Sequence, residues 1–193
     1  MVSGGGTNLQ AIIDAKAAGK IPSAELALVI ASRPDAYALT RAENAGIPQC
    51  VVRKTRAISI EEYGEQLLQV LRDHQIEVVV LAGFLTILPE NVIKAYDHRI
   101  LNIHPSLIPS FCGQGFYGLK VHEAALAKGV KVTGATVHFV NEIPDGGDII
   151  AQKAVDVLPG DTPETLQLRV MQQAEWVLLP QALQTVANTI EAQ

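Results

Sequence analysis

Cysteine is scarce in this chain. Cys50 and Cys112 are the only two among 193 residues, too few for a disulfide framework and without the spacing of zinc ligands. A reducing, cytoplasmic setting is therefore expected. Positive charge is also in short supply: 15 Lys and Arg stand against 20 Asp and Glu, a net charge of −5. A general nucleic-acid surface needs a basic stripe, so no nucleic-acid partner is expected. Long apolar runs are missing too. Val78-Val79-Val80-Leu81-Ala82 is among the longest and falls far short of the roughly 20 residues that span a bilayer. No basic segment followed by an apolar stretch and a small-residue cleavage site opens the sequence, so no secretory leader is expected. Internal repeats and low-complexity stretches are absent. What is there is an ordinary globular balance, 48% hydrophobic and 18% charged. The length suits one domain, 1–193, with room for a sizeable core.

Apolar runs rich in β-branched residues alternate with helical periodicities. The runs predict strands over 26–31, 50–53, 76–82, 100–104, 132–140 and 149–157. The stretch 76–82 is apolar at nearly every position after Glu77, as a strand covered on both faces should be. Between the runs, Ile60, Tyr63, Leu67, Val70 and Leu71 recur on one helical face. Residues 36–45 are followed by Gly46, a helix C-cap signal. Asp161-Thr162-Pro163-Glu164 opens the last helix with a cap residue, an early Pro and an acid at the positive dipole end. This alternation predicts an α/β fold: a doubly wound, mostly parallel sheet with helices on both faces and an antiparallel C-terminal edge. Residues 105–119, with Gly113, Gly115 and Gly118, read as a long loop of the kind that covers a site.

Three patterns carry chemistry. Gly4-Gly5-Gly6-Thr7-Asn8 precedes a helical stretch over 9–18, and the free amides that open a helix suit a phosphate. The same residues also fit a plain strand–helix turn. A dinucleotide fingerprint is opposed by Leu9 at its third glycine position, although Arg33 after the next strand keeps an NADP-type reading open. A P-loop is excluded because no Lys follows the glycines. The second pattern is Asn102-Ile103-His104-Pro105. Asn102 and His104 point to one face of a strand that ends at Pro105, at the carboxyl end of the sheet where open α/β folds bind ligands. A carboxamide donor and an imidazole that titrates near neutrality suit acyl-type transfer, in which a carbonyl oxygen becomes an oxyanion. The third is Asp145, held in a turn by Pro144, Gly146 and Gly147; beside His104 it would raise the imidazole pKa and relay protons. Asp148 competes with it by position. His74, His98, His122 and His138 have no adjacent partners in sequence and read as structural.

Taken in order, four segments resemble the phosphoribosylglycinamide formyltransferase family, the folate-dependent formyl transferases of purine synthesis. They are residues 3–10, the run Leu81-Ala82-Gly83-Phe84-Leu85-Thr86-Ile87-Leu88, the run Asn102-Ile103-His104-Pro105-Ser106-Leu107, and Asp145-Gly146-Gly147. The resemblance covers nearly the whole chain. It implies a formyl group moved from 10-formyltetrahydrofolate, a co-substrate, to the amine of glycinamide ribonucleotide, without a metal, by a monomer or homodimer. It further implies that Gly5, Gly6, Thr7 and Asn8 hold the substrate phosphate, with Gln172 and Glu175 at the phosphate and ribose end. Phe84, Leu85, Thr86, Ile87 and Leu88, together with Asn102, would contact the folate, and Asn102, His104 and Asp145 would be catalytic. The chain departs from that pattern in places. Only Met1-Val2-Ser3 precede the glycines where the family carries a full first strand, so a shortened or missing central strand is expected. Ile60 stands where the family often has Arg, with Arg56 as a substitute. Ala174-Glu175-Trp176 replaces Ala-Glu-His, and its spacing from Arg169 is one residue longer. A formyltetrahydrofolate hydrolase would share the Asn, His and Asp but not need the phosphate turn. A methionyl-tRNA formyltransferase would carry a further, basic C-terminal domain.

Overall fold

The computed structural model describes residues 1–191. In chain order its elements are α1 (Thr7–Ala17), β1 (Val29–Ala31), α2 (Ala38–Asn44), β2 (Gln49–Val51), α3 (Ile60–Asp73), β3 (Val79–Leu81), α4 (Glu90–Ala95) and β4 (Ile100–His104). There follow α5 (Leu119–Lys128), β5 (Val132–Phe139), β6 (Ile149–Asp156), α6 (Pro163–Val170), a π-helical turn (Met171–Glu175) and α7 (Trp176–Glu191).

The β1–β2 and β3–β4 pairs are parallel, and β5 and β6 continue from β4 in antiparallel fashion, so the expected parallel sheet with an antiparallel edge is what forms. Residues 1–3 lie between β1 and β3 and join the two groups. On one side Val2 N–H donates to the Ile30 carbonyl at 2.9 Å and Ser32 N–H to the Val2 carbonyl at 3.0 Å. On the other, Ala82 N–H donates to the Met1 carbonyl at 2.9 Å and Ser3 N–H to the Gly83 carbonyl at 3.1 Å. The stretches 26–31 and 76–82, expected as full strands, are regular only over Val29–Ala31 and Val79–Leu81. Their upstream halves face each other across a cavity of about 530 Å³ lined by Leu26, Leu28, Ile76 and Val78. A backbone without a partner at ladder distance has no ladder to join.

Alternation along the strands feeds two cores, one on each face. Ile30, Val79, Leu81 and Ile100 pack with Tyr63, Leu67 and Leu71 of α3 and Val92 of α4. Ala31, Leu101, Ile103, Ala135 and Val137 pack with Leu9 and Ile12 of α1, Leu166 of α6 and Leu179 of α7. Helices on both faces of a sheet are the doubly wound arrangement.

Local signals fix the helix ends. In α3, Ser59 and Glu62 form a reciprocal capping box, which satisfies two amide donors of the first turn. Ile60, expected on the apolar face, is the first helical residue and is exposed, whereas Tyr63, Leu67 and Leu71 are buried as expected. Thr162 caps α6 through Thr165, while Asp161 pairs with both terminal nitrogens of Arg169 at 2.5 and 2.6 Å. Between Arg169 and Glu175, where one residue beyond the family spacing is expected, the helix takes a π-helical turn over Met171–Glu175, a form that occurs as single-turn bulges within α-helices.

Candidate active site

β4 and β5 bring the site together by cross-strand pairing. Asn102 stands opposite His138, and His104 opposite Thr136. Because successive side chains alternate, Asn102, His104, Thr136 and His138 share one face. Asn102 Nδ2 lies 3.1 Å from His138 Nε2. His138 Nε2 is 3.5 Å from one carboxylate oxygen of Asp145, whose other oxygen is 3.5 Å from His104 Nδ1. The three side chains expected from sequence therefore converge, with His138 between two of them. Sequence reading missed His138 because only the β4–β5 register makes it a neighbour. The available signal was that Thr136 and His138 repeat the Asn102 and His104 spacing on a strand otherwise apolar except for Thr133.

The turn that carries Asp145 is tightly built. Phe139 N–H donates to the Asp148 carbonyl at 2.9 Å. Gly147 passes so close that a Cβ there would sit 1.9 Å from the Phe139 carbonyl oxygen. Asp145 itself adopts φ 55°, a left-handed conformation uncommon outside Gly but one that Asp takes more readily than most residues. Its carboxylate accepts from Gly113 N–H at 2.8 Å, tying this turn to the long loop. Asp148 instead faces the exposed His98, which removes it as a competitor for the site.

His104 is buried, and its Nε2–H donates to the Phe111 carbonyl at 2.8 Å. Burial lowers its pKa, and the opposing pull of the Asp145 charge and of the Phe111 carbonyl does not restore it. The expectation that Asp145 would raise the imidazole pKa is thus correct in sign for that pair but outweighed by desolvation. For Asp145, burial pushes the carboxyl up, yet the adjacent His138 and His104 rings and the Gly113 amide together bring it below its ordinary value.

The glycine turn meets the sheet at the carboxyl ends of residues 1–3 and β3. Ser3 Oγ accepts from Leu85 N–H at 2.9 Å and from Ser32 Oγ at 2.8 Å. Gly6 has φ 71°, and a Cβ on it would lie 2.6 Å from Ala38 Cβ. Arg41 Nε donates to the Gly5 carbonyl at 2.8 Å. The first amides of α1, from Thr7 onward, lack intrahelical acceptors and open an anion-binding end. Asn8 turns inward, and its Nδ2 donates to Glu175 at 2.7 Å. Glu175 is buried on the π-helical turn, and burial raises its pKa to about 7 against the opposing Asn8 bond. Gln172, on the same turn, is exposed. A groove of about 520 Å³ runs from Thr7 and Gln10 past Arg41 to Trp176.

The segment expected to bind folate divides by side chain. Phe84 and Leu88 are buried in the core with Ile100 and Val92, whereas Leu85 and Ile87 are 67% and 78% exposed and Thr86 is half-buried. Ile100 shares its strand face with Asn102, so the segment flanks the Asn102 side of the sheet. Among the described residues, no group of three or more His, Cys, Asp or Glu is arranged to hold a metal ion, and no helix is long and apolar enough to cross a membrane.

Residues 1–183 match the model of the formyl transferase family. A chloroplastic phosphoribosylglycinamide formyltransferase of Arabidopsis thaliana is 40% identical over 88% of this chain, which spans 58% of that relative's length. The phosphoribosylglycinamide formyltransferase of Haemophilus influenzae is 39% identical over 93% of this chain and 82% of its own. The crystal structure of glycinamide ribonucleotide transformylase 1 from Symbiobacterium toebii superimposes with a TM-score of 0.90 at 41% identity, covering 97% of this chain and 85% of that one. The chain belongs to the formyl transferase family.

Proposed function

We propose that this chain transfers the formyl group of 10-formyltetrahydrofolate to the amine of glycinamide ribonucleotide, a step of purine synthesis, in the cytoplasm. The observation that carries the reading is the convergence of Asn102, His104 and Asp145 at the carboxyl end of β4. A glycine turn opening α1 ends at the same edge of the sheet. One locus suits an oxyanion and proton transfer, the other an anion.

In this reading the phosphate is held by the amides of Gly5, Gly6, Thr7 and Asn8, with Gln172 and Glu175 toward the ribose. Exposed Leu85 and Ile87, with Thr86, cover the folate ring, while Phe84 and Leu88 support them from the core. The neutral amine attacks the formyl carbon, forming a C–N bond while the carbonyl electrons move onto oxygen. An Asn102 N–H and His104 stabilise that oxyanion. Collapse breaks the bond from the formyl carbon to the folate nitrogen, and the amine proton passes through Asp145 and water to that nitrogen. Burial disfavours the charged form of resting His104, and its Nε2–H serves the oxyanion as a hydrogen-bond donor with no change in the charge of the ring. The formyl oxygen then takes the place of the Phe111 carbonyl as acceptor of the Nε2–H.

Steady-state kinetics of Asn102→Ala and His104→Ala test the assignment. Each is expected to lower kcat on the order of 10²–10³-fold, the usual loss of one oxyanion donor, with the fold intact by circular dichroism. A folded His104→Ala variant with near-normal kcat removes His104 from the mechanism.

A further inference from the structure

His138 is 2% exposed and both of its ring nitrogens are engaged. Nδ1 lies 2.7 Å from the Phe139 carbonyl oxygen. A carbonyl oxygen only accepts, so Nδ1 carries a proton. In the neutral ring Nε2 then presents a lone pair, and this pair faces the Asn102 carboxamide at 3.1 Å. A lone pair attracts the amide N–H and repels the amide oxygen, so only one of the two amide orientations fits. The carboxamide is held with Nδ2 toward His138, one N–H spent on the imidazole and the second N–H free. The carboxylate of Asp145 is more distant, 3.5 Å from the same Nε2, and Asn102 is the better-placed partner for it.

We propose that His138 is a positioning residue: a neutral, Nδ1-protonated imidazole that fixes the orientation of the Asn102 carboxamide and so aims its free N–H at the developing oxyanion. This rests on the formyl-transfer reading above, in which Asn102 is the donor. The chain of orientation runs from the Phe139 carbonyl, which can only accept, through the neutral imidazole to the amide. A second histidine in the site thereby has a task that needs no change of its own charge during turnover.

The test combines kinetics of His138→Leu, His138→Gln, Asn102→Ala and the double variant His138→Leu/Asn102→Ala with ¹⁵N NMR of the wild-type imidazoles. His138→Leu is expected to lower kcat about 10–100-fold with KM unchanged. His138→Gln, whose side-chain oxygen can accept at the place of Nε2, should recover most of that loss. Once Asn102 is Ala, removing His138 should have little further effect, because the two act as one unit. The His138 ring should show the Nδ1–H tautomer at pH 7.5. A His138→Leu variant within twofold of wild-type kcat, or losses that multiply in the double variant, overturns the proposal. If the Leu variant does not fold, the wild-type spectrum still decides: an Nε2–H tautomer or an imidazolium contradicts it. Failure of the underlying reading is distinct, because wild-type protein would then form no formylated acceptor at all, while the NMR result would still bear on His138.

Discussion

Gly6 sits at φ 71° with Ala38 so near that a Cβ would be 2.6 Å from one carbon and 2.8 Å from another, the second of them backbone. A left-handed conformation alone costs a side chain about 1–2 kcal/mol, and the steric contact adds to it because the Ala38 backbone cannot rotate away. Gly6→Ala is therefore expected to lose more than about 2 kcal/mol of stability in urea denaturation; an unchanged midpoint would contradict the close packing of α1 on α2. At this scale much was legible in the sequence. The glycine run, the same-face pair Asn102 and His104, and Asp145 in its Pro-Gly-Gly turn all announce themselves by residue type and spacing. His138 did not, because its neighbours arise from strand register, which lies 36 residues away in the chain. Nor did the net direction of the His104 shift, since sequence shows the nearby acid but not the burial that outweighs it.

Elements were legible in kind and less so in extent. The alternation of strands and helices and the antiparallel edge follow from apolar period and link length. The lengths of β1 and β3, Val29–Ala31 and Val79–Leu81, do not, because apolar residues continue upstream of the regular ladder in both. The folate segment shows a related limit: an apolar run does not say which of its side chains turn inward, and Leu85 and Ile87 are the two that stay out. The π-helical turn is the clearest case of a sequence oddity becoming a structural feature. Where the resemblance leads us to expect one residue beyond the family spacing, between Arg169 and Glu175, a π-helical turn runs over Met171–Glu175. Deleting the exposed Gln173 is expected to convert the turn to regular α-helix while α6 and α7 keep their registers, so that Asn8 still reaches Glu175. Thermal melting of the deletion variant should match or exceed that of the parent. A loss of several degrees would mean the bulge is needed for packing.

Across the whole molecule two buried groups give stability opposite dependences on pH. His122 is fully buried on α5, and among the described residues neither ring nitrogen has a hydrogen-bond partner; burial first, then the nearby His104, lowers its pKa to about 4. As pH falls through about 6.5 the unfolded chain binds a proton at this residue that the folded chain does not, so stability drops progressively down to about 4, by roughly 3 kcal/mol. His104, also lowered by burial, acts in the same direction. Glu175 is the reverse. With its pKa raised to about 7 from 4.5, the folded state keeps a proton that the unfolded chain releases, and stability falls as pH rises between those values, again by roughly 3 kcal/mol. Urea unfolding from pH 4 to 8 should therefore show His122→Leu gaining on the parent as pH falls and Glu175→Gln gaining as pH rises; a pH-independent difference for either would contradict its buried charge state. Catalysis by this site is measured most directly as formyl transfer itself. Purified protein is mixed with 10-formyltetrahydrofolate with and without glycinamide ribonucleotide, and both formylated ribonucleotide and free formate are quantified. Formylated product that forms only when acceptor is present, with little formate, is the predicted result. Formate released at the same rate with or without acceptor would contradict it and make water the acceptor.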